Sequence, residues 1–269
     1  MVKLRDIFYF NIKNKQFLPA GVSFLVLFFF EILLWRPKFF YYSLTASLLV
    51  LLLAYWQLHL GDIEKKRWIG FLILPPFFII GLAFYASMLA NFSFWDKILI
   101  HSLFFFNSIF IYLYLRFSYF YFLKPYIFKE ADFKNISSCG NYLSSFLIFS
   151  SCYGFFLFLN IQFWLLAPFV LLSLFFLSFQ FFWLEKMEAK KNILILLVIP
   201  LVLTEIYWAL AFLPLNYSVA GLILSIIYFA VVNLTKFHLA DNLDKNIIRN
   251  YLIFSISILL LILLTARWI

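Results

Sequence analysis

Three ionisable residues stand inside runs of apolar sequence, where a charge is costly: Glu31, His101 and Glu205. A charge at bilayer depth costs at least about 3 kcal/mol on insertion scales, so such groups usually face a cavity or a partner. Glu205 lies twelve residues past Ile193, about 18 Å into its run and just past the midplane of a bilayer. Glu31 precedes Trp35 by four residues and His101 follows Ile98 by three, so each sits roughly 5–6 Å beneath one surface. Both are close enough to that surface to snorkel to it. All three favour the same half of the membrane, where they could bind a solute or carry a proton.

A second group of residues lies between apolar runs. Asp62 and Glu64 are followed by Lys65, Lys66 and Arg67, and Glu185 and Glu188 are followed by Lys190 and Lys191. Paired carboxylates can hold Mg²⁺, which can bind a diphosphate that Lys and Arg neutralise further. The same residues also suit a solvated loop of mixed charge. Other chemistries lack their residues. The chain has seven Gly and no G-x-x-x-x-G-K or G-x-G-x-x-G cradle, and none of its three His forms H-E-x-x-H. No Ser stands in a G-x-S-x-G turn. Cys139 and Cys152, without partner ligands, make no zinc site, and a reducing face with a lipid setting argues against a disulfide. No catalytic residue, metal site or cofactor is assigned.

Bilayer-length helices must position these residues. A hydrocarbon core of about 30 Å needs about 20 helical residues. Nine apolar runs answer to that: 17–35, 39–58, 68–88, 98–115, 142–159, 163–184, 193–213, 218–235 and 251–267. The composition agrees, with 66% hydrophobic and 12% charged residues against about half and a quarter in soluble domains. Trp35, Trp56, Trp68, Trp95, Trp164, Trp183 and Trp268 fall near run ends, as interfacial aromatics do. Seventeen of the 21 Lys and Arg residues fall at the N-terminus and in every second connection; the other face has Arg36, Lys38, Lys97 and Arg267. Short basic loops stay in the cytoplasm, so the N-terminus is expected inside and the C-terminus outside. The net charge of +9 then orients the chain beside an anionic leaflet and is no nucleic-acid footprint. The first run starts late, lacks an A-x-A cleavage pattern and precedes Arg36 and Lys38, so it is expected to remain as a span. The expected location is the inner membrane of a bacterium.

An offset of 125 residues pairs unlike residue types: Lys65 and Lys66 with Lys190 and Lys191, Pro75 with Pro200, Ala86 with Ala211, Asn91 with Asn216, and Ser93 with Ser218. The pattern predicts one transmembrane domain over 1–269, an all-α integral membrane bundle of two parallel four-helix repeats (17–115 and 142–235) plus an extra helix, 251–267. Parallel repeats pack about an axis along the membrane normal, and cavities form at their interface. Residues 116–141, with Tyr119, Phe120, Tyr121, Tyr126, Phe128 and basic residues interleaved, read as an interfacial segment, and 237–250 as a short surface helix carrying Leu239, Leu243 and Ile247.

Nine spans, an inside N-terminus, a four-plus-four repeat and acidic sites in the 2–3 and 6–7 loops together resemble the layout of the membrane-embedded aromatic prenyltransferases. In that family two Asp-rich motifs hold Mg²⁺ and an isoprenyl diphosphate. The resemblance implies that Gly61-Asp62-Ile63-Glu64 and Glu185-Lys186-Met187-Glu188 would stand at those sites, although neither has the N-D-x-x-D form. The closing Leu264-Thr265-Ala266-Arg267-Trp268 resembles uncharacterised multipass bacterial proteins. Three functions stay open. One is transport or binding of a small solute, ion or lipid at Glu205, Glu31 and His101 between the repeats. The second is a prenyltransferase-like enzyme or lipid-diphosphate binder at the cytoplasmic acid and base clusters. The third is a structural or assembly subunit. Membrane lipids are the expected partners; protein partners and oligomeric state are left open.

Overall fold

A computed structural model describes residues 16–59, 68–89, 94–187 and 193–266. Among these the protein is all-helical, with nine helices long and apolar enough to cross a membrane and no strand. They are α1 (Leu18–Trp35), α2 (Phe40–His59, after a 3₁₀ turn at Pro37–Phe39), α3 (Trp68–Leu89), α4 (Phe94–Leu123), α5 (Glu130–Leu159), α6 (Phe163–Leu184), α7 (Ile193–Ala211), α8 (Tyr217–Leu239) and α9 (Lys245–Thr265). Most begin and end within a few residues of the apolar runs.

Two segments differ from expectation. Residues 116–141 form no separate interfacial segment: most of them extend α4 and α5 to 30 residues each. Such helices are about 45 Å long and overreach a hydrocarbon core by about 15 Å. Nothing in 116–123 breaks a helix, and α4 stops only at Pro125, whose ring disfavours helical geometry in the residue before it. Glu130 and Asp132 then complement the positive end of the α5 dipole. Residues 237–250 likewise form no helix of their own. They end α8 and start α9, whose first residue is capped by the Asp244 carboxylate accepting from Lys245 N at 2.7 Å.

Contacts between helix ends fix the up-and-down order. At one end the start of α5 meets the ends of α6 and α8, through Lys134, Glu185 and Lys236. At the other the end of α3 meets the start of α8, through Tyr85 and Ser218. The first end carries Arg116, Lys124, Lys129, Lys134, Lys186, Lys236, Lys245 and Arg249, and is called the basic end below. The described Lys and Arg residues of the other end are Arg36, Lys38 and Lys97.

In α1–α4 each helix packs on the next and α4 closes back on α1; α5–α8 repeat that neighbour order. The two sets meet mainly where α3 lies against α5 and α6. Between apolar helices in lipid there is no hydrophobic drive to associate, so close packing and hydrogen bonds must hold them. Helix α5 shows both, and every residue from 147 to 154 is buried. Gly221 of α8 lies directly on the Ser150 backbone, and Gly81 of α3 on Leu147 and Ile148. By contrast α9 buries only Ser255 and packs on α8 alone among its larger contacts.

Candidate functional site

A cavity of about 550 Å³ opens at the basic end where α3 and α4 meet α5 and α6. Its wall is aromatic. Phe71 at the start of α3 stacks on Phe133 of α5 (ring centroids 4.8 Å apart) and meets the Trp183 indole edge-on at 5.3 Å. Tyr121, at the end of α4, lies 4.7 Å from Phe71 and 5.1 Å from Phe128 of the α4–α5 turn. Gly70 lets the Trp183 ring lie on the α3 backbone, in space that a Cβ would occupy. The overreach of α4 and α5 builds this site, because Tyr121, Phe128 and Phe133 all lie beyond the apolar cores of those helices.

Glu130, Lys134 and Lys186 line the cavity and belong to a chain of charges that runs on to Glu185 and Lys236. Lys186 donates to Glu130 at 2.8 Å, and Lys134 lies 3.4 Å from Glu130 and 3.3 Å from Glu185. Lys236 donates to the other Glu185 oxygen at 2.7 Å. Glu130 stands before the apolar part of α5, and hydrogen bonding from Lys186 holds its carboxyl below the usual carboxylate range. Three ammonium groups against two carboxylates leave one positive charge in excess. Lys186 is the most available, with 73% of its side chain exposed. The positive φ of Lys186 (60°) turns the chain sharply out of α6 and carries its side chain across to the α5 start. An aromatic chamber with a cationic rim suits an apolar or aromatic body bearing an anionic group.

The structure treats the sequence-derived candidates differently. Glu31 and His101 come together at the opposite end, joining α1 to α4 with Nδ1 at 3.0 and 3.1 Å from the two carboxylate oxygens. Both are partly exposed. Glu205 does not join them. It is exposed on α7, which packs on α6 and α8, whereas α1 packs on α2 and α4. Glu185 is 14% exposed, and each of its oxygens already accepts from a lysine, so it bridges α5, α6 and α8. Asp62, Glu64, Lys65, Lys66, Arg67, Glu188, Lys190 and Lys191 lie outside the described residues. Among the described residues, no group of three or more His, Cys, Asp or Glu could hold a metal ion.

Uncharged polar residues escaped a reading that looked for charge. Tyr228 donates to Asn141 at 2.7 Å, and Asn141 donates to Gln180 and to the Leu177 carbonyl at 2.8 Å each. This fully buried set joins α5, α6 and α8 a short way below the rim. Asn233 donates to Tyr142 at 2.7 Å, adding a second α5–α8 bond. An Asn or Gln inside an apolar run, as at Gln180 and Asn233, or at its edge, as at Asn141, is the signal that marks such positions, since lipid satisfies none of their hydrogen bonds.

No family model, no curated protein and no solved structure matches this chain.

Proposed function

We propose that the protein is a multipass component of a bacterial inner membrane, with its basic end cytoplasmic, that binds a small amphiphilic anion between its two helical halves. The observation that carries this reading is the cavity of about 550 Å³, with its aromatic wall and Lys186 at the mouth. Its volume falls in the range of small-molecule sites, about 300–1,000 Å³. The charge asymmetry between the two ends supports the orientation, because basic loops are retained in the cytoplasm. Two four-helix repeats are supported by their shared neighbour order and by Trp68 and Ile193, which open α3 and α7 at the 125-residue offset. The bound anion is the polar head of a lipid or a soluble aromatic anion. The lysines bridged by Glu185 favour binding over Mg²⁺-assisted transfer, since that carboxylate is engaged.

Dodecyl phosphate and dodecanol, added to the protein in nanodiscs of neutral lipid, test the reading. A ligand at 100 times its Kd stabilises by about 2.7 kcal/mol. At about 2–4 °C per kcal/mol, dodecyl phosphate should raise Tm by about 5–11 °C. Dodecanol should not, and Lys186→Met should reduce the shift. Equal shifts with the two compounds, or none with dodecyl phosphate at millimolar concentration, overturn it.

A further inference from the structure

Among the described residues Glu205 has no partner. It forms no hydrogen bond or ion pair with any described residue, and it is exposed about two-thirds of the way along α7, on the face that the described residues leave uncovered. That face is otherwise apolar: Leu194, Leu197, Leu201 and Val202 are exposed along it, and Trp208, half-exposed, ends it beside the Phe163 and Trp164 rings of α6. The spacing 194, 197, 201, 205, 208 is one helical stripe, with Glu205 in its path rather than at its edge. Unlike Glu31 and His101, it cannot snorkel easily. Twelve residues of α7 precede it and six follow, so the nearer helix end is about 9 Å away, beyond the usual reach of a Glu side chain. Charged or neutral, a carboxyl group facing hydrocarbon lacks the hydrogen bonds that water would give it.

We propose that this stripe of α7 is an interaction surface for a transmembrane helix of another protein, one that presents a Lys, Arg or His at the depth of Glu205. Charge complementarity selects that occupant over lipid, which offers no donor at this depth. It also selects a different chain over a second copy. The described Lys and Arg residues stand near helix ends, except Arg116, which lies seven residues inside the basic end of α4, on the opposite half from Glu205; His101, on the same half as Glu205, is already paired with Glu31. The proposal goes beyond the basic-end cavity and does not require a ligand there, though it shares the membrane placement. The surrounding apolar stripe supplies the packing, and the Glu205 pairing fixes depth and rotation of the incoming helix, as buried polar pairs do in membrane bundles.

A photoreactive benzoylphenylalanine at Leu201, one turn from Glu205, tests it in the native membrane. The expected product is a protein adduct that is lost with Glu205→Leu, an apolar change at an exposed position. Peptide mapping should put the crosslink within about one helical turn, about 5 Å, of a Lys, Arg or His inside the partner's membrane helix. The melting temperature of Glu205→Leu should match that of the parent, so that loss of the adduct reports the interface and not folding. Glu205→Gln provides a second variant of closer shape, with a weaker adduct expected. Four results overturn the proposal: an adduct with lipid alone, an adduct of this chain with its own copy, one that survives Glu205→Leu, or one far from any basic residue. The own-copy result would give the face to a homodimer held by facing carboxyl groups.

Discussion

Replacing Gly221 by Ala tests whether the α5–α8 contact, the most extensive helix pair, sets the stability of this bundle. A Cβ at Gly221 would stand 2.6 Å from Ser150 N and 2.7 Å from Ser150 Cα. Both are backbone atoms, so no rotamer change relieves the overlap and the two helices must separate. Overpacking of this kind costs about 1–3 kcal/mol. Gly→Ala in a helix also has a favourable part, about 0.5–1 kcal/mol from backbone entropy, which obscures the overlap if the variant is compared only with the parent. Gly21 provides the reference, because a Cβ there meets nothing within 4 Å. Gly21→Ala carries the entropic part alone, and the difference between the two variants isolates the clash. At about 2–4 °C per kcal/mol, Gly221→Ala should melt about 2–12 °C below Gly21→Ala. A thiol-reactive dye reports the transition through Cys152, which is buried and becomes reactive when the helices part, in a Cys139→Ser background. If Gly221→Ala melts at or above Gly21→Ala, the close approach of α5 and α8 does not limit stability and the packing argument fails.

Tyr228→Phe removes the donor to Asn141 while keeping the ring, and should cost about 0.6 kcal/mol, at most about 1.7, by the same thermal assay. A loss above 3 kcal/mol would mean that the Asn141–Gln180 set collapses as a unit. Glu185→Gln leaves Lys134 and Lys236 without their shared carboxylate and should destabilise by about 1–3 kcal/mol. Lys236→Met added to it should recover part of that loss, and a strictly additive double variant would show that the bridge contributes nothing.

Nine bilayer-length apolar runs were legible in the sequence because the requirement behind them is one-dimensional. Each helix must satisfy its own backbone across a fixed thickness, so run length and composition suffice. The sorting of Lys and Arg is equally local. What happens where an apolar run ends is not: Arg116 to Leu123 and Glu130 to Asn141 read as parts of an interfacial segment, yet both continue helices that pack on neighbours. The sequence marked Tyr121 and Phe128 as aromatics near a surface, but only the packing of α3 and α6 beside them makes those rings a cavity wall. Of the ionisable residues singled out in the sequence, Glu31 and His101 were 70 positions apart and met, whereas Glu205 turned outward. Depth follows from residue count along one helix. Azimuth, which decides whether a side chain meets a neighbour, a cavity or the surroundings, depends on which face each helix gives to the others, and tertiary packing alone sets that.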